Sequence, residues 1–380
     1  KSLRLLMKTF IDALSVKYTM EEITMNEKIL RLEKLLQEAI DDGAFPGANY
    51  ALIVNGKKYF GSLGNKSLYP QVEPNSLDTM YDLASVTKVL ATTTAIMMLV
   101  EQGKLRLYEP VSNILENFKH SQITVWDLLT HTSGLPADIP RANKLKSRNE
   151  ALDYCFSCDL VYEKNTKIVY SDIGFILLGL IIEKITKESL DSFVTKNIFI
   201  PLKMDNTCYN PKNKETCAST EERNDEVFQG IIQGYVHDEK AYILGGVAGH
   251  AGVFSTVKDM ANFLEMILNQ GRFDGKQILS KQTIDLFFTP QVRVQNGISL
   301  DYDMRSIGWI NKGCYSSSGE LTSSETIQHT GFTGTNVFID RKNNIAFCLL
   351  TNRVHPTRNN LKIINVRARV GNYIIANFGG

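Results

Sequence analysis

The sequence predicts an α+β fold in which one antiparallel β-sheet, flanked by helices, is built from both ends of the chain. Three observations support this prediction. A pair of strand patterns occurs early, at 48–64; strand patterns return late, at 325–352; and the middle, from Asp127 to about Asn269, is mainly helical with long polar loops. Such segregation of strands and helices is typical of an α+β arrangement, here with a mainly helical inserted lobe.

The length of the chain favours two lobes within this fold. Its 380 residues exceed the roughly 250–300 residues that a single hydrophobic core usually supports. We therefore expect an N-terminal extension at 1–19 and one domain at 20–380. Its sheet-and-helix lobe would comprise 20–84 and 272–380, and its mainly helical lobe 85–271.

The first half of the chain opens with a helix and a hairpin. Apolar residues recur at helical spacing over 20–42, which predicts a helix there. Two short strands surround Asn55 and Gly56, and this dipeptide is a strong signal for a two-residue hairpin turn. An apolar helix is then expected from near Ser85 to about Gln102.

The second half alternates buried helices with polar connections. The segment 171–187 predicts one buried helix, and 255–271 predicts another with Ser255 as its N-cap. The segment 205–240 is charged and loop-like. The late strands are separated by a glycine-rich turn and a polar turn, and the segment 361–378 closes the chain as a helix.

Composition excludes several function classes. The net charge is +1, from 42 basic and 41 acidic residues, so no nucleic-acid partner or anionic membrane is expected. The longest apolar run, Ile173–Ile182, is too short for a membrane span, which needs about 18 residues. The start lacks a signal-peptide pattern because Asp12 interrupts its apolar stretch. Localisation stays open: the cell envelope or the exterior if a signal was removed, otherwise the cytoplasm.

The six cysteines do not indicate a metal site. Cys155 and Cys158 form a single C-x-x-C, whereas a zinc site would need a second pair or two suitably spaced histidines. We therefore expect free thiols, and we expect neither a metal nor another cofactor.

Ser85 and Lys88 form the first candidate catalytic group. On a helix, residues three apart share a face, so the ammonium could reach the hydroxyl. A serine hydroxyl needs a base within hydrogen-bonding reach to act as a nucleophile. A helix N-terminus would also stabilise developing negative charge there. Alone, S-x-x-K is common, and a surface serine and lysine is the ordinary explanation.

Tyr170, Ser171 and Asp172 form the second group, directly before an apolar helix. A tyrosine near the serine and lysine could protonate a leaving group, an effect typically worth about 10²–10⁴-fold in rate. The alternative is that Ser171 or Asp172 simply caps the helix that begins at Ile173.

The third group is the segment HTGFTGT, from His329 to Thr335, between two predicted strands. Glycines in a strand mark places where a ligand or another backbone approaches closely. Backbone N–H groups there could bind an oxyanion, and His329 or Thr330 could hold a substrate carboxylate. The alternative is a glycine-rich turn with an incidental histidine.

The order of these groups resembles that of the penicillin-binding protein and class C β-lactamase family of serine hydrolases. That family has S-x-x-K, then Y-x-N, then K-T-G or H-T-G, on corresponding elements. Further similar stretches are FPGANYALIVNGK, VEQGKLRLYEPV, WDLLTHTSGLP and GGVAGHAGVFSTVKDMANF, so the resemblance covers about residues 30–375. It implies a β-lactamase/transpeptidase-like fold.

The resemblance also implies catalytic roles. Ser85 would attack a carbonyl and become acylated, Lys88 would take or orient its proton, and Tyr170 would pass that proton to the leaving group. The principal base stays open between Lys88 and Tyr170. The backbone N–H groups of Ser85 and Phe332 would form the oxyanion hole.

Substrate binding would fall to Asp172, His329, Thr330, Gly331 and Phe332. Asp172 departs from the family's asparagine, because an ionised carboxylate accepts hydrogen bonds and cannot donate one to a substrate amide oxygen. His329 departs from the lysine of β-lactamases. A histidine that titrates near its ordinary pKa of about 6.5 would bind a carboxylate less well above that pH.

The expected activity is that of a serine hydrolase with a Ser85 acyl-enzyme, of the D-alanyl-D-alanine carboxypeptidase or penicillin-binding peptidase kind. The alternatives are a carboxylesterase, a class C-type β-lactamase, or a sensor of β-lactams or peptidoglycan that is acylated without turnover. The partner would be a small molecule or a peptidoglycan peptide, with β-lactams as further candidates. The sequence leaves the exact substrate, the deacylation rate and the oligomeric state open.

Overall fold

The computed structural model describes residues 20–295, 302–313 and 316–379. The predicted extension at 1–19 and Cys314 lie outside the described residues. The described strands, in chain order, are β1 Gly47–Val54, β2 Lys57–Ser67, β3 Glu73–Pro74, β4 Tyr81–Asp82, β5 Cys208–Tyr209, β6 Ser219–Asn224, β7 Gln229–Gln233, β8 Val253–Ser255, β9 Arg272–Phe273, β10 Lys276–Gln277, β11 Val292–Gln295, β12 Tyr302–Arg305, β13 Ile310–Asn311, β14 Thr326–Thr330, β15 Asn336–Asp340 and β16 Ile345–Thr351.

Helices lie before, between and after these strands. In chain order they are α1 Met20–Asp41, α2 Thr94–Glu101, α3 Val111–Ile114, α4 Val125–Leu129, α5 Arg148–Ser157, α6 Asp172–Thr186, α7 Leu190–Val194, α8 Glu239–Ile243, α9 Val257–Leu268, α10 Lys281–Phe288 and α11 Ile363–Phe378.

The predicted sheet from both chain ends is confirmed. Nine strands form one sheet in the order β11-β12-β13-β14-β15-β16-β1-β2-β3. The first strand pairs antiparallel with the last, with Tyr50 opposite Leu349. The turn between β1 and β2 has positive φ at Asn55 (48°) and Gly56 (80°), as a two-residue hairpin requires. The late strands therefore complete a sheet that the early hairpin begins.

Helices cover both faces of this sheet. On one face, Leu36 of α1 and Ile374 of α11 pack with Tyr50 and Phe347 in one apolar cluster. On the other face, α9 packs in the larger cluster, which continues through α2 and α6. Because both faces are covered, all eight residues of β1 are buried. Within this sheet, β14 is an inner strand, and it contacts the turn at Ser85 that begins the helical part of the chain.

The structure corrects several local predictions. The loop-like segment 205–240 contains the hairpin β6–β7. Ser255 ends β8, and Thr256 is the N-cap of α9 instead. The helix expected from Ser85 begins as a 3₁₀ turn, continues as a π-helical segment over Lys88–Thr93 and becomes α-helical only in α2.

One helical stretch has the length and apolar composition of a membrane span, although the sequence predicted none. It is Ala84–Glu101, and 83% of it is buried inside the protein. This burial is what the central helix of a packed domain requires, so the stretch is weak evidence for a membrane span.

Candidate active site

The turn that carries Ser85 is held in a left-handed backbone conformation. Ala84 has φ of 47°, which is unusual for a residue with a side chain. Buried Asp82 supports it, because one carboxylate oxygen accepts the N–H of Ala84 at 2.8 Å and the other accepts the N–H of His237 at 2.7 Å. The turn thereby places the Ser85 side chain in the wall of a cavity of about 370 Å³.

The glycine-rich turn after β14 is fastened directly to the serine turn. The hydroxyl of Thr333 donates to the carbonyl of Asp82 at 2.7 Å, and that of Thr335 donates to the carbonyl of Leu83 at 2.9 Å. Gly331 lies at the point of contact, where a Cβ atom would come within 2.5 Å of the Leu83 carbonyl oxygen. The absence of a side chain at Gly331 therefore lets the two turns approach.

Lys88 lies beneath Ser85 and is fully buried. Its Nζ is 3.1 Å from the Ser85 Oγ, 3.0 Å from the His250 carbonyl oxygen and 2.7 Å from Oδ1 of Asp172. Burial alone would lower the pKa of Lys88, but the carboxylate of Asp172 and the hydroxyl of Tyr170 outweigh it and raise that pKa. Lys88 is consequently an ammonium at neutral pH.

Tyr170 borders the same cavity on the helical side, immediately before α6. The Lys88 Nζ lies 4.8 Å from the centre of its ring, and burial raises the pKa of Tyr170, against the opposing effect of the nearby Lys88. The ring lies 4.7 Å from that of His131, centroid to centroid. His131 also accepts the N–H of Ser171 at 3.0 Å, which holds the segment that carries Tyr170.

Ser171 and Asp172 divide the roles that the sequence left open. The Ser171 hydroxyl caps α6 by accepting the N–H of Gly174. Asp172 begins the helix, and its carboxylate lies between two ammonium groups, that of Lys88 at 2.7 Å and that of Lys240 at 3.2 Å. The pKa of Asp172 is lowered, since these cations and His250 outweigh burial. This carboxylate is ionised and already paired.

Lys240, from α8, extends the ion pairs behind the site. Its Nζ is 2.9 Å from Asp138 and 2.9 Å from Asp238, and the latter also contacts Nε2 of His250 at 2.7 Å. One atom each of Asp172, Asp238 and His250 lies within 4.8 Å of the others, the spacing of a metal site. Because lysine ammonium groups already lie against these carboxylates, the arrangement is better described as an ion-pair network.

His329 is buried in β14 and differs from the expectation for it. Its Nδ1 lies 2.9 Å from the carbonyl oxygen of Thr330. Burial, together with the charges of Lys88 and Arg305, lowers the pKa of His329 to about 3. The prediction of an imidazole titrating near pH 6.5 is therefore wrong, and His329 is neutral at physiological pH.

Phe332 follows the H-T-G segment at the mouth of the cavity. Its ring is 48% exposed and stacks on His237, with centroids 5.5 Å apart. Its carbonyl accepts Nε of Arg353 at 2.8 Å, while Arg367 donates to the carbonyl of Gly331 at 2.8 Å. Within the described residues the Phe332 N–H has no acceptor. The carbonyls of this turn are thus fixed and an N–H is left available.

The cavity gathers most of the residues that the sequence singled out. Its walls include Ser85, Tyr170, His329, Thr330, Gly331 and Phe332. Lys88 and Asp172 lie behind this wall, in contact with its members. Sequence reasoning missed three arginines in the wall and one lysine behind it. They are Arg305, Arg353, Arg367 and Lys240, none of which belongs to a local motif.

The chain is similar to known proteins over most of its length. The sequence profile of the Beta-lactamase family matches residues 32–370. The chain is 36% identical over 373 residues to the "N-acetylmuramyl-L-alanine amidase" of Bacillus subtilis, covering 87% of this chain and 82% of that protein. It is 31% identical over 374 residues to the "Putative D-alanyl-D-alanine carboxypeptidase" of Escherichia coli K12, with coverages of 87% and 83%.

Among solved structures, the fold is similar to that of "EstCE1, a hydrolase with promiscuous acyltransferase activity". The TM-score is 0.73 at 21% identity, and the match covers 91% of this chain and 99% of that chain. At this identity the likeness concerns the fold alone.

Proposed function

This chain belongs to the Beta-lactamase family and is a serine hydrolase, and we propose that it cleaves amide bonds of peptidoglycan peptides through an acyl-enzyme on Ser85. The observation that supports this most directly is the 3.1 Å contact between the Lys88 Nζ and the Ser85 Oγ, in a cavity wall shared with Tyr170. Two homologous proteins with names for peptidoglycan amide chemistry support the substrate class.

In the proposed reaction, the Ser85 Oγ attacks the carbonyl carbon of the scissile amide. The new C–O bond forms as the C–N bond breaks, and the nitrogen leaves with a proton as a free amine. Water then attacks the acyl-enzyme, which releases a carboxylic acid and restores the serine. Each step needs a group that accepts and returns one proton.

We assign the proton transfer to Tyr170 rather than to Lys88. An ammonium cannot accept a proton, and the pKa of Lys88 is raised beside Asp172. A neutral phenol can accept the proton of Ser85 while it donates its own to the leaving nitrogen, without a net change of charge. The Lys88 ammonium would stabilise negative charge on either oxygen during this transfer.

The oxyanion would bind to the backbone N–H groups of Ser85 and Phe332. The first lies at the start of a helical segment, where N–H groups point toward a developing negative charge. The second has no acceptor within the described residues. Donors placed in this way are typically worth about 10²–10³-fold in kcat each.

The leaving side of the substrate would lie along Thr330. His329 is neutral there, so the positive charge facing a substrate carboxylate would come from Arg305, which lines the same cavity. Asp172 would act on Lys88 rather than on the substrate amide, because both neighbouring ammonium groups already engage its carboxylate.

To test the proposal, the protein is incubated separately with a penicillin, with an acylated D-alanyl-D-alanine peptide and with an N-acetylmuramyl-L-alanine amide. The intact mass of the protein and the amino acid released are followed over time. We expect a transient or stable adduct on Ser85 and release of the free amino acid from at least one amide. Ser85→Ala should abolish both, whereas Ser157→Ala, at an exposed serine on α5, should change neither. Turnover retained in Ser85→Ala would overturn the proposal.

A further inference from the structure

A second cavity continues from the active-site cavity along strands β12, β13 and β14. It has a volume of about 530 Å³ and reaches Tyr302, Asn311, Ser317 and Gln328. The two cavities share a wall. The shared residues are Arg305, Ile310, Thr330, Ile364 and Arg367. The site therefore opens, on its Thr330 side, into a groove much larger than one alanine residue.

We propose that this groove binds an extended leaving peptide that carries a carboxylate, so that the enzyme prefers amides with several residues beyond the scissile bond to those that release a single amino acid. This inference rests on the proposed function, which places the leaving group beside Thr330 and Tyr170. Hydrolysis then frees the amino terminus of the peptide, and the acyl part departs with water as a carboxylic acid.

The polar atoms of the groove support a peptide as its occupant. Nη1 of Arg305 is buried and forms no hydrogen bond with any described residue. Asn311 also lines the groove, but its Nδ2 donates to the carbonyl of Phe287 at 3.2 Å and it lies opposite core residue Ile327, so its side chain faces α10 rather than the groove. A buried polar atom without a partner is costly. A carboxylate of the peptide would satisfy the Arg305 atom.

The charges of the groove select an anionic peptide. Arg305 contributes one guanidinium, which among the described residues is engaged only through Nε, by Asp303 at 3.3 Å. Arg367 contributes a second positive charge at the shared wall. Among the described residues that line the groove, the opposing negative charge is the carboxylate of Asp303, which is 35% exposed. The balance favours a negatively charged group in the peptide, bound by the planar donors of Arg305.

Dimensions separate this inference from a carboxypeptidase site. An extended chain advances about 3.3 Å per residue, so a carboxylate on the first residue and one on the second reach different parts of the groove. A site for one terminal residue would need only the active-site cavity. Here the space continues past Arg305 to Asn311 and Ser317.

The test is a matched series of amides with leaving groups of increasing length. N-acetylmuramyl amides of alanine, alanyl-glutamate and alanyl-glutamyl-lysine are compared with N-acetyl-D-alanyl amides of the same three leaving groups, by chromatography of the released amine. We expect kcat/KM to rise at least tenfold from one residue to two or three in whichever acyl series is cleaved. Equal or falling values would overturn this inference and leave the proposed function intact, whereas no cleavage of either series would overturn both.

Two variants locate the effect in the groove. Arg305→Gln should remove most of the rise in kcat/KM that the second leaving residue gives, and should change kcat/KM for the single-residue amide less. Ser317→Tyr should remove the rise in kcat/KM that the third residue gives, because the larger side chain narrows the second cavity. Arg272→Gln, at an exposed arginine of β9, is the control and should leave the length dependence unchanged. Retention of the full length dependence in both groove variants would also overturn the inference.

Discussion

The helical wall and the sheet wall of the active-site cavity stabilise charge in different ways. On the helical wall, Lys88 and Lys240 are buried side chains, and both are paired with Asp172. On the sheet wall, His329 is uncharged, and the turn leaves the Phe332 N–H without an acceptor among the described residues. For the reacting atoms, one wall therefore offers ionised side chains and the other a backbone N–H, while the guanidinium of Arg305 on the sheet wall is the charge proposed for a substrate carboxylate.

This difference indicates which substitutions each wall tolerates. An ion-pair network fails when one charge is removed, because its buried partner is left uncompensated. A backbone donor fails when the chain is displaced, even by a change that alters no charge. The four predictions below test these two kinds of sensitivity, beginning with the charged wall.

Lys88→Met should have the largest effect, because it removes the charge next to both Ser85 and Tyr170. We expect kcat to fall roughly 10²–10⁴-fold, the range of proton-transfer catalysis. Asp172 would keep only Lys240, at 3.2 Å. Acylation by penicillin, followed by intact mass over time, measures this loss. Lys258→Met, at an exposed lysine, is the control, and a fall of less than tenfold in Lys88→Met would contradict a direct role for the ammonium.

Gly331→Ala should have the next largest effect, because it disturbs the backbone wall without changing any charge. The added Cβ would lie 2.0 Å from the Thr335 Oγ1 and 2.5 Å from the Leu83 carbonyl oxygen. We expect the turn to shift and kcat to fall about 10²–10³-fold, as for loss of an oxyanion donor, with a smaller change in KM.

The matched control for this change is Gly174→Ala in α6. There a Cβ would meet nothing closer than 3.6 Å, an ordinary contact. Steady-state kinetics on the same amide compare the two variants. If Gly331→Ala retains kcat within a few-fold, the close approach of the two turns is not needed for catalysis.

Lys240→Met should have a smaller effect on kcat, up to about 10²-fold, because it acts through the position of Asp172 and Lys88. It also removes one partner of a buried ion-pair network, which typically costs about 3–5 kcal/mol of stability. Urea unfolding and kcat report these two effects separately.

The double variant Asp172→Asn/Lys240→Met distinguishes positioning from general destabilisation. Removing both charges eliminates the carboxylate that has lost one of its two ammonium partners, so we expect kcat to recover at least in part relative to Lys240→Met alone. Asp138 is 54% exposed and Asp238 retains His250, so neither depends on Lys240 as Asp172 does. Additive losses in the double variant would show that Lys240 does not act through Asp172.

The sequence predicted the features that local chemistry determines. The hairpin at Asn55 and Gly56 follows from turn residues with positive φ. The order of the three motifs, through its resemblance to a known family, predicted that Ser85, Lys88 and Tyr170 lie close together. These signals are short-range or lie in the spacing of the chain, so they can be read without a structure.

The remaining features depend on tertiary contacts. Arg305 and Lys240 approach the site only through strand pairing and helix packing, and no motif surrounds either of them. The pKa of His329 depends on burial, which the sequence does not specify. The charged sequence of β6 predicted a loop. Glu221 can be buried in a hairpin there because it is paired with His237 and Arg358.

Substrate binding on the sheet wall should depend little on pH, which is the smallest effect predicted. With the pKa of His329 lowered to about 3, its imidazole stays neutral as pH changes from 5 to 8. A guanidinium stays charged over the same range. We expect KM for an amide with a carboxylate in its leaving group to change less than twofold between pH 5 and 8.

Arg305→Gln sharpens this expectation, because it should raise KM by a similar factor at every pH in that range. A rise of KM centred near pH 6.5 in the parent enzyme would instead indicate a titrating histidine and contradict a neutral His329. The His329→Asn variant then separates the two explanations. If Arg305 binds the carboxylate, this variant keeps the flat profile, since the substrate is then held by a guanidinium and not by an imidazole.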